Sequence, residues 1–320
     1  EAAVRVRAWV RHGDHSPVAG IYQLDQAGHR QLKPGAALVG SQRKVQINRL
    51  GFRGHEPQLP KPEGLVRIVA LGDSTTFGME ASDDDAVWVS RLVTELTQSS
   101  SRHFDAINGG VPGYTLSDSI ELLHGCIAPL DPDIVVVNQV ATDIAAHSRR
   151  QFGSSAKHSD SAAPLSAFFE EYSLLLNLLK VNSTPLTARW LSPRRHDALD
   201  ESGVGQYERQ LAALVEECRR FGWRAVLCTA PRSFGDPAAP SNQFELAASS
   251  LANNPALTLA GLNAAFDRYN AAVREVAQRT GTPLIDLDRD VPRRADYFAD
   301  AVHLNDAGHK LVGRVVAREI

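Results

Sequence analysis

Four consecutive β-branched residues, Ile134-Val135-Val136-Val137, constrain most strongly what this chain can fold into. A strand that is apolar at every position has no face to offer to water. It is buried on both sides, so it lies in the middle of a sheet with helices above and below. Asp131-Pro132-Asp133 introduces it, and Asn138-Gln139-Val140-Ala141-Thr142-Asp143 ends it. A second apolar run, Leu65 to Leu71, breaks at Gly72 into the polar turn Asp73-Ser74-Thr75-Thr76.

From Leu65 onward, strand-like and helix-like spacings alternate, which argues a parallel α/β sheet. Trp88 to Leu96 is apolar at helical spacing, and the acidic triplet Asp83-Asp84-Asp85 before it suits a helix N-terminus. A strand is expected over His103–Asn108, followed by the loop Asn-Gly-Gly-Val-Pro-Gly at 108–113 and a helix from Thr115 to Cys126. A helix over Tyr207–Phe221 precedes a strand over Trp223–Thr229, and a helix over Leu262–Arg279 precedes a fifth strand over Pro283–Leu287. The last helix begins after Asn305.

Two segments interrupt this alternation. Residues 148–205 open Ser-rich, carry an apolar helical stretch over Phe168–Val181 and continue into a loop with Arg194 and Arg195. They read equally as a substrate-shaping lid and as a cover for a sheet edge. Residues 234–260 are rich in Ala, Asn, Ser and Pro. Residues 1–64 differ from the rest in their Gly, Pro, Gln, His and Arg content and read as an N-terminal extension with a few short strands. The expected organisation is therefore an extension over 1–64 and a main domain over 65–320 with insertions at 148–205 and 234–260.

A net charge of −3 gives no footprint for a nucleic-acid or anionic-membrane partner. No apolar run is long enough to cross a bilayer. Cys126, Cys218 and Cys228 are isolated, which gives neither a zinc spacing nor a disulfide framework. No dinucleotide fingerprint occurs. Nothing in the sequence sets the oligomeric state.

Ser74 stands where a strand turns into polar sequence, at the sheet edge where open α/β folds place their chemistry. A serine nucleophile needs a base and an orienter. Asp300-Ala301-Val302-His303 supplies both, because a carboxylate three residues before an imidazole can hold one ring nitrogen while the other faces outward. Asp286, at the end of the fifth strand, is a rival orienter, although capping the following turn would also explain it.

These residues carry two resemblances. Val10 to Pro17, VRHGDHSP, resembles the histidine acid phosphatase signature, with Arg11, His12, Gly13 and Pro17 matching and His15 in place of a second arginine. With the His196-Asp197 pair it implies a phosphomonoesterase using Arg11 and His12. A polar loop after a short strand accounts for the same stretch. The second resemblance is broader. Gly72-Asp73-Ser74, Asn108–Gly113, Asp143 and Asp300-x-x-His303-Leu304-Asn305 with Gly308-His309 resemble, in order, the blocks of the SGNH (GDSL) hydrolase family over roughly residues 65–318. Asn48–Glu56 resembles the segment that precedes this domain in many bacterial members.

The second resemblance implies a three-layer α/β/α sandwich with a five-stranded flavodoxin-like sheet. It implies a serine esterase or O-acyltransferase in which Ser74 attacks an ester carbonyl, His303 moves the proton and Asp300 holds His303. The oxyanion would meet the N–H groups of Ser74 and Gly113 and a side-chain donor at Thr142, where the family carries asparagine. The substrate would be a small-molecule, glycan or lipid ester, and the resemblance implies no metal or organic cofactor. A non-catalytic module of the same fold is the remaining alternative. Glu1-Ala-Ala-Val-Arg resembles the stretch just after a membrane anchor in some members, which leads us to expect an extracytoplasmic or membrane-anchored protein rather than a cytoplasmic one.

Overall fold

In the computed structural model, which describes residues 18–25, 30–40, 43–153, 195–236, 238 and 240–320, two antiparallel hairpins precede the main sheet. They are β1 (Tyr22–Leu24) with β2 (Arg30–Leu32), and β3 (Ala37–Val39) with β4 (Lys44–Gln46). The apolar runs then form β5 (Leu65–Gly72), β6 (His103–Gly110), β7 (Ile134–Asn138), β8 (Arg224–Cys228) and β9 (Leu284–Ile285). These five strands are all parallel and lie in the order β6-β5-β7-β8-β9, the flavodoxin-like arrangement. Gly72 pairs with both Gly110 and Asn138, so β5, β6 and β7 end at one level. Their following loops therefore share one edge, at the point where the strand order reverses.

Alternation along the strands makes the three layers. Val69, Leu71, Val135, Val137 and Leu227 face one way, against α3 (Leu116–Leu122), α5 (Glu201–Arg220) and α6 (Leu259–Thr280). Ile68, Ala70, Val136 and Val226 face the other, against α2 (Trp88–Ser99) and α7 (Asp306–Glu319). Two further helices start at the sheet edge itself, α1 (Ser74–Phe77) after β5 and α4 (Ala141–Phe152) after β7. Every residue of β7 is buried, as its composition requires.

Several boundaries differ from the sequence reading. The helix after β6 stays α-helical only to Leu122 and continues as a π-turn over Leu123–Ile127. Helix α5 starts at Glu201, six residues before Tyr207 and inside the segment read as an insertion. Asp200 caps it, and the ring of His147 lies against Gly203, where a Cβ would come within 2.4 Å of the imidazole. Strand β9 is only two residues long, because Asp286 already begins the next turn. Segment 234–260 contains the short helices Gln243–Leu246 and Ala248–Asn253. The helix expected over 168–181, Arg194, and the Arg11-His12 stretch lie outside the described residues.

The acidic triplet also does something other than expected. Helix α2 is capped by Val87, with no acid in its first turn. Asp83 accepts the Ala86 N–H at 2.7 Å, Asp84 takes Arg53, and Asp85 meets His55. The last two tie the N-terminal segment down rather than answer a helix dipole.

Arg53 explains why that segment is there. Its side chain is 1% exposed. It pairs with Asp84 at 2.7 Å and donates to the carbonyls of Phe77 and Gly78, at 3.2 and 2.6 Å, at the C-terminal end of α1. Ile21, Leu32, Val45 and Ile47 pack with Phe77 and Val111 around it. Arg53→Met strips a largely buried pair of one partner and takes one donor from each carbonyl, leaving Phe77 O with Asn108 Nδ2 and Gly78 O with the Ala81 N–H. The expected loss is about 3–5 kcal/mol of folding stability, read by chemical denaturation. Asp84→Asn should cost less, because its neutral side chain still accepts from Arg53.

No helix among the described residues is long and apolar enough to cross a membrane.

Candidate active site

The turn after β5 is built around Asp73, which is fully buried. Its Oδ1 accepts the N–H and hydroxyl of Thr75, at 2.9 and 2.8 Å, and so caps α1. Its Oδ2 accepts the Thr142 N–H at 3.1 Å, and Thr76 Oγ1 donates to the Asn138 carbonyl at 3.0 Å. The Ser74 turn is thereby fastened to the start of α4. Ser74 is the first residue of α1, where backbone N–H groups have no intrahelical acceptor.

The loop before α7 carries the histidine. Asp300 Oδ1 accepts the N–H groups of Val302 and His303, at 3.0 and 2.9 Å, and Ala299 N–H closes the loop onto the His303 carbonyl at 2.8 Å. Asn305 caps α7 by accepting the Gly308 N–H at 3.0 Å. His309, one turn on, is buried and accepts the Trp88 N–H at 3.3 Å. Burial, helped by the charge of Arg53, pushes its pKa down to about 3, so it stays a neutral acceptor.

The two loops meet. Ser74 Oγ lies 2.7 Å from His303 Nε2, and His303 Nδ1 lies 2.8 Å from Asp300 Oδ2. Burial works against the Asp300 charge, but hydrogen bonds from His303 and the loop amides outweigh it and hold the carboxyl at about 2. An ionised carboxylate only accepts, so Nδ1 carries the proton and Nε2 faces the serine hydroxyl as an acceptor. For His303, burial lowers the pKa, but the hydrogen bond and charge of Asp300, with Asp73 and Glu80 behind, outweigh it and hold the pKa above that of an ordinary imidazole. Asp286 takes no part. It binds Arg274 at 2.7 and 2.9 Å and the hydroxyl of Thr229 at 2.8 Å.

Residues 70–311 match the profile of the GDSL-like Lipase/Acylhydrolase family. The chain belongs to that family. It is accordingly a carboxylic ester hydrolase by family. Among solved structures it is similar to an acetylxylan esterase from Geobacillus stearothermophilus, at 18% identity and a TM-score of 0.48, covering 79% of this chain and 93% of that one. It is also similar to a lipase/acylhydrolase from Enterococcus faecalis, at 18% identity and a TM-score of 0.49, covering 80% and 95%. A search of curated protein sequences gave no significant match. The assignment rests on the family profile and not on these likenesses.

Two further residues expected at a GDSL-type site, Gly113 and Thr142, lie on the neighbouring loops. Gly113 is exposed, with φ +89°, a conformation that favours glycine. Its N–H donates to none of the described residues. It opens onto a cleft of about 470 Å³ walled by Arg30, Gln31, Tyr114, Leu122 and Cys126. Thr142 is half-buried. Its N–H is taken by Asp73, while its hydroxyl makes no hydrogen bond to a described residue. Of the pair His196-Asp197, His196 stacks on Phe152 with ring centroids 4.0 Å apart, and Asp197 accepts the Thr258 hydroxyl at 2.6 Å. Both side chains serve packing and capping.

Sequence reasoning assigned no role to Asp73, Gln139 or Tyr207, nor an environment to Asp143. Asp143 is buried and accepts the Leu116 N–H at 3.1–3.2 Å and Gln139 Nε2 at 3.0 Å. Burial raises its pKa to about 7 against those two donors. Below an ordinary unfolded value near 3.9 both states are protonated. Between there and about 7 the folded state keeps a proton that the unfolded state has released, so this group's contribution to stability falls as pH rises. Asp143→Asn removes that dependence. The stability difference between variant and parent should shift in favour of the variant from pH 4 to pH 8, as measured by denaturation at each pH.

Proposed function

We propose that this chain hydrolyses carboxylic (acyl or acetyl) esters through an acyl-enzyme on Ser74. The observation that carries the reading is the unbroken hydrogen-bonded chain from Asp300 through His303 to Ser74 Oγ. Ser74 Oγ attacks the ester carbonyl carbon while His303 Nε2 takes its proton. The C–O bond to the alcohol then breaks, and Nε2 returns the proton to the leaving oxygen. Water attacks the acyl-serine, again giving a proton to Nε2, and the acid leaves as the proton returns to Ser74. Asp300 holds the ring and balances the imidazolium charge throughout.

Developing negative charge on the carbonyl oxygen would meet the N–H groups of Ser74 and Gly113, with the Thr142 hydroxyl as third donor. Both backbone donors lack acceptors among the described residues, which supports that assignment. A threonine hydroxyl is shorter than an asparagine amide, and its proton rotates. It is the weakest of the three. An alcohol in place of water would give acyl transfer at the same site.

Initial rates on a short-chain aryl ester test the reading. Ser74→Ala should abolish hydrolysis and His12→Ala should leave it intact. Hydrolysis retained by Ser74→Ala would overturn the reading, and phosphatase activity on an aryl phosphate abolished by His12→Ala would establish a histidine phosphomonoesterase in its place.

A further inference from the structure

Gln139 does no chemistry in this scheme, yet it is 1% exposed and every one of its side-chain groups is engaged. Its Nε2 donates to the Tyr114 carbonyl at 2.8 Å and to Asp143 Oδ2 at 3.0 Å. Its Oε1 accepts the Ser119 hydroxyl at 3.1 Å, and its main-chain carbonyl accepts the Tyr207 hydroxyl at 2.5 Å. Asp143 reaches the same loop one step further on, at the Leu116 N–H. Burying this many polar groups is tolerated only when each is partnered. An apolar residue between β7 and α4 would pack with less risk.

These bonds converge on the loop that carries Gly113. Val111 N–H is fixed to the Gly72 carbonyl at 3.0 Å, and Tyr114 N–H turns back onto Val111 at 3.1 Å. Beyond the turn, Gln139 grips the loop at Tyr114 and Asp143 grips it at Leu116. Gly113 itself has no neighbour within 4 Å of where a Cβ would stand, so packing does not fix it. Its orientation depends on what anchors the next residues.

We infer that Gln139, seated by Asp143 and Tyr207, is a positioning residue that aims the Gly113 N–H at the carbonyl oxygen of the ester. This rests on the Ser74 reading above. Oxyanion donors act only when preorganised, and a displacement of about 1 Å costs up to about 100-fold in rate. The loss falls on the transition state, so it appears in kcat rather than KM.

The test compares the parent with Gln139→Met, Tyr207→Phe and Ser74→Ala on one aryl ester. Rates are normalised to competent sites by fluorophosphonate titration, and thermal unfolding checks the fold. Normalisation matters because a merely structural residue lowers the number of competent sites, not the turnover of each. Gln139→Met should lower kcat per site about 10- to 100-fold with KM within about twofold. Tyr207→Phe, which loses only the bond to the Gln139 carbonyl, should lower it by a few-fold. A folded Gln139→Met with parental kcat per site overturns the inference. Should Gln139→Met not fold, parental kcat in Tyr207→Phe overturns it instead. Activity retained by Ser74→Ala would mark failure of the underlying reading, a result distinct from either.

Discussion

Ser74→Ala is expected to lower kcat for ester hydrolysis by roughly 10⁶-fold, the loss seen when a serine protease loses its nucleophile. The variant keeps the oxyanion donors and the binding surface, so KM should change little. Folding should be nearly unaffected. The Ser74 side chain is half-buried, and its hydrogen bond among the described residues is to His303. The turn itself is held by Asp73, through Thr75 and Thr142. A thermal midpoint close to the parent's, together with loss of turnover, separates a chemical role from a structural one. Substantial turnover in the alanine variant would mean that another group attacks the ester.

The second large effect is expected at Asp300. Asparagine could keep the Oδ1 bonds to the amides of Val302 and His303. Its NH₂ group, however, would then face His303 Nδ1, which the carboxylate meets at 2.8 Å. The ring would be held with its proton on Nε2, unable to accept from Ser74. The expected loss in kcat is about 10²- to 10⁴-fold, the upper end being the cost of a wrong tautomer in a comparable triad.

The pH profile carries a second signature of the same residue. In the proposed mechanism His303 is a base in its neutral form, so kcat/KM should rise with pH through its pKa. Against the pull of burial, the hydrogen bond and charge of Asp300 raise that pKa, so the acid limb of the parent should lie at higher pH than an ordinary imidazole would give. In Asp300→Asn the limb should move to lower pH, because the charge that raised it is gone. Stability should respond in the opposite region. The Asp300 carboxyl at about 2 contributes stability above an unfolded value near 3.9 and loses it as pH falls towards 2.

The features legible in the sequence were those with local signals. The runs at Leu65–Leu71 and Ile134–Val137 are strands because nothing but a covered sheet accommodates them. Asp300 and His303 lie three residues apart, so their pairing is a matter of one turn. The meeting of Ser74 with His303 spans 229 residues, but parallel topology brings every βα loop to one edge, and so it too was readable.

The supporting network was not readable. Arg53 serves carbonyls 24 and 25 residues away, and nothing in its own segment marks it as a buried cation. Gln139 is reached by Tyr207 across 68 residues and grips Tyr114 across 25. Such contacts depend on how helices seat on the sheet, which periodicity does not encode. Asp143 was visible as part of a motif, while its raised pKa arises from burial that only the packed helices create. Asp286 remained a rival orienter in sequence because its strand ends at the right edge. Arg274 settles its role as half of an ion pair.

The central claim is that Ser74, activated by His303, is the nucleophile, and covalent labelling tests it most directly. The protein would be treated with a fluorophosphonate and the modified peptide located by mass spectrometry. The account predicts one phosphonyl group per chain, attached to Ser74, absent in Ser74→Ala and strongly slowed in His303→Ala. No adduct on a protein that still hydrolyses esters, or an adduct on another residue that blocks hydrolysis, would contradict it.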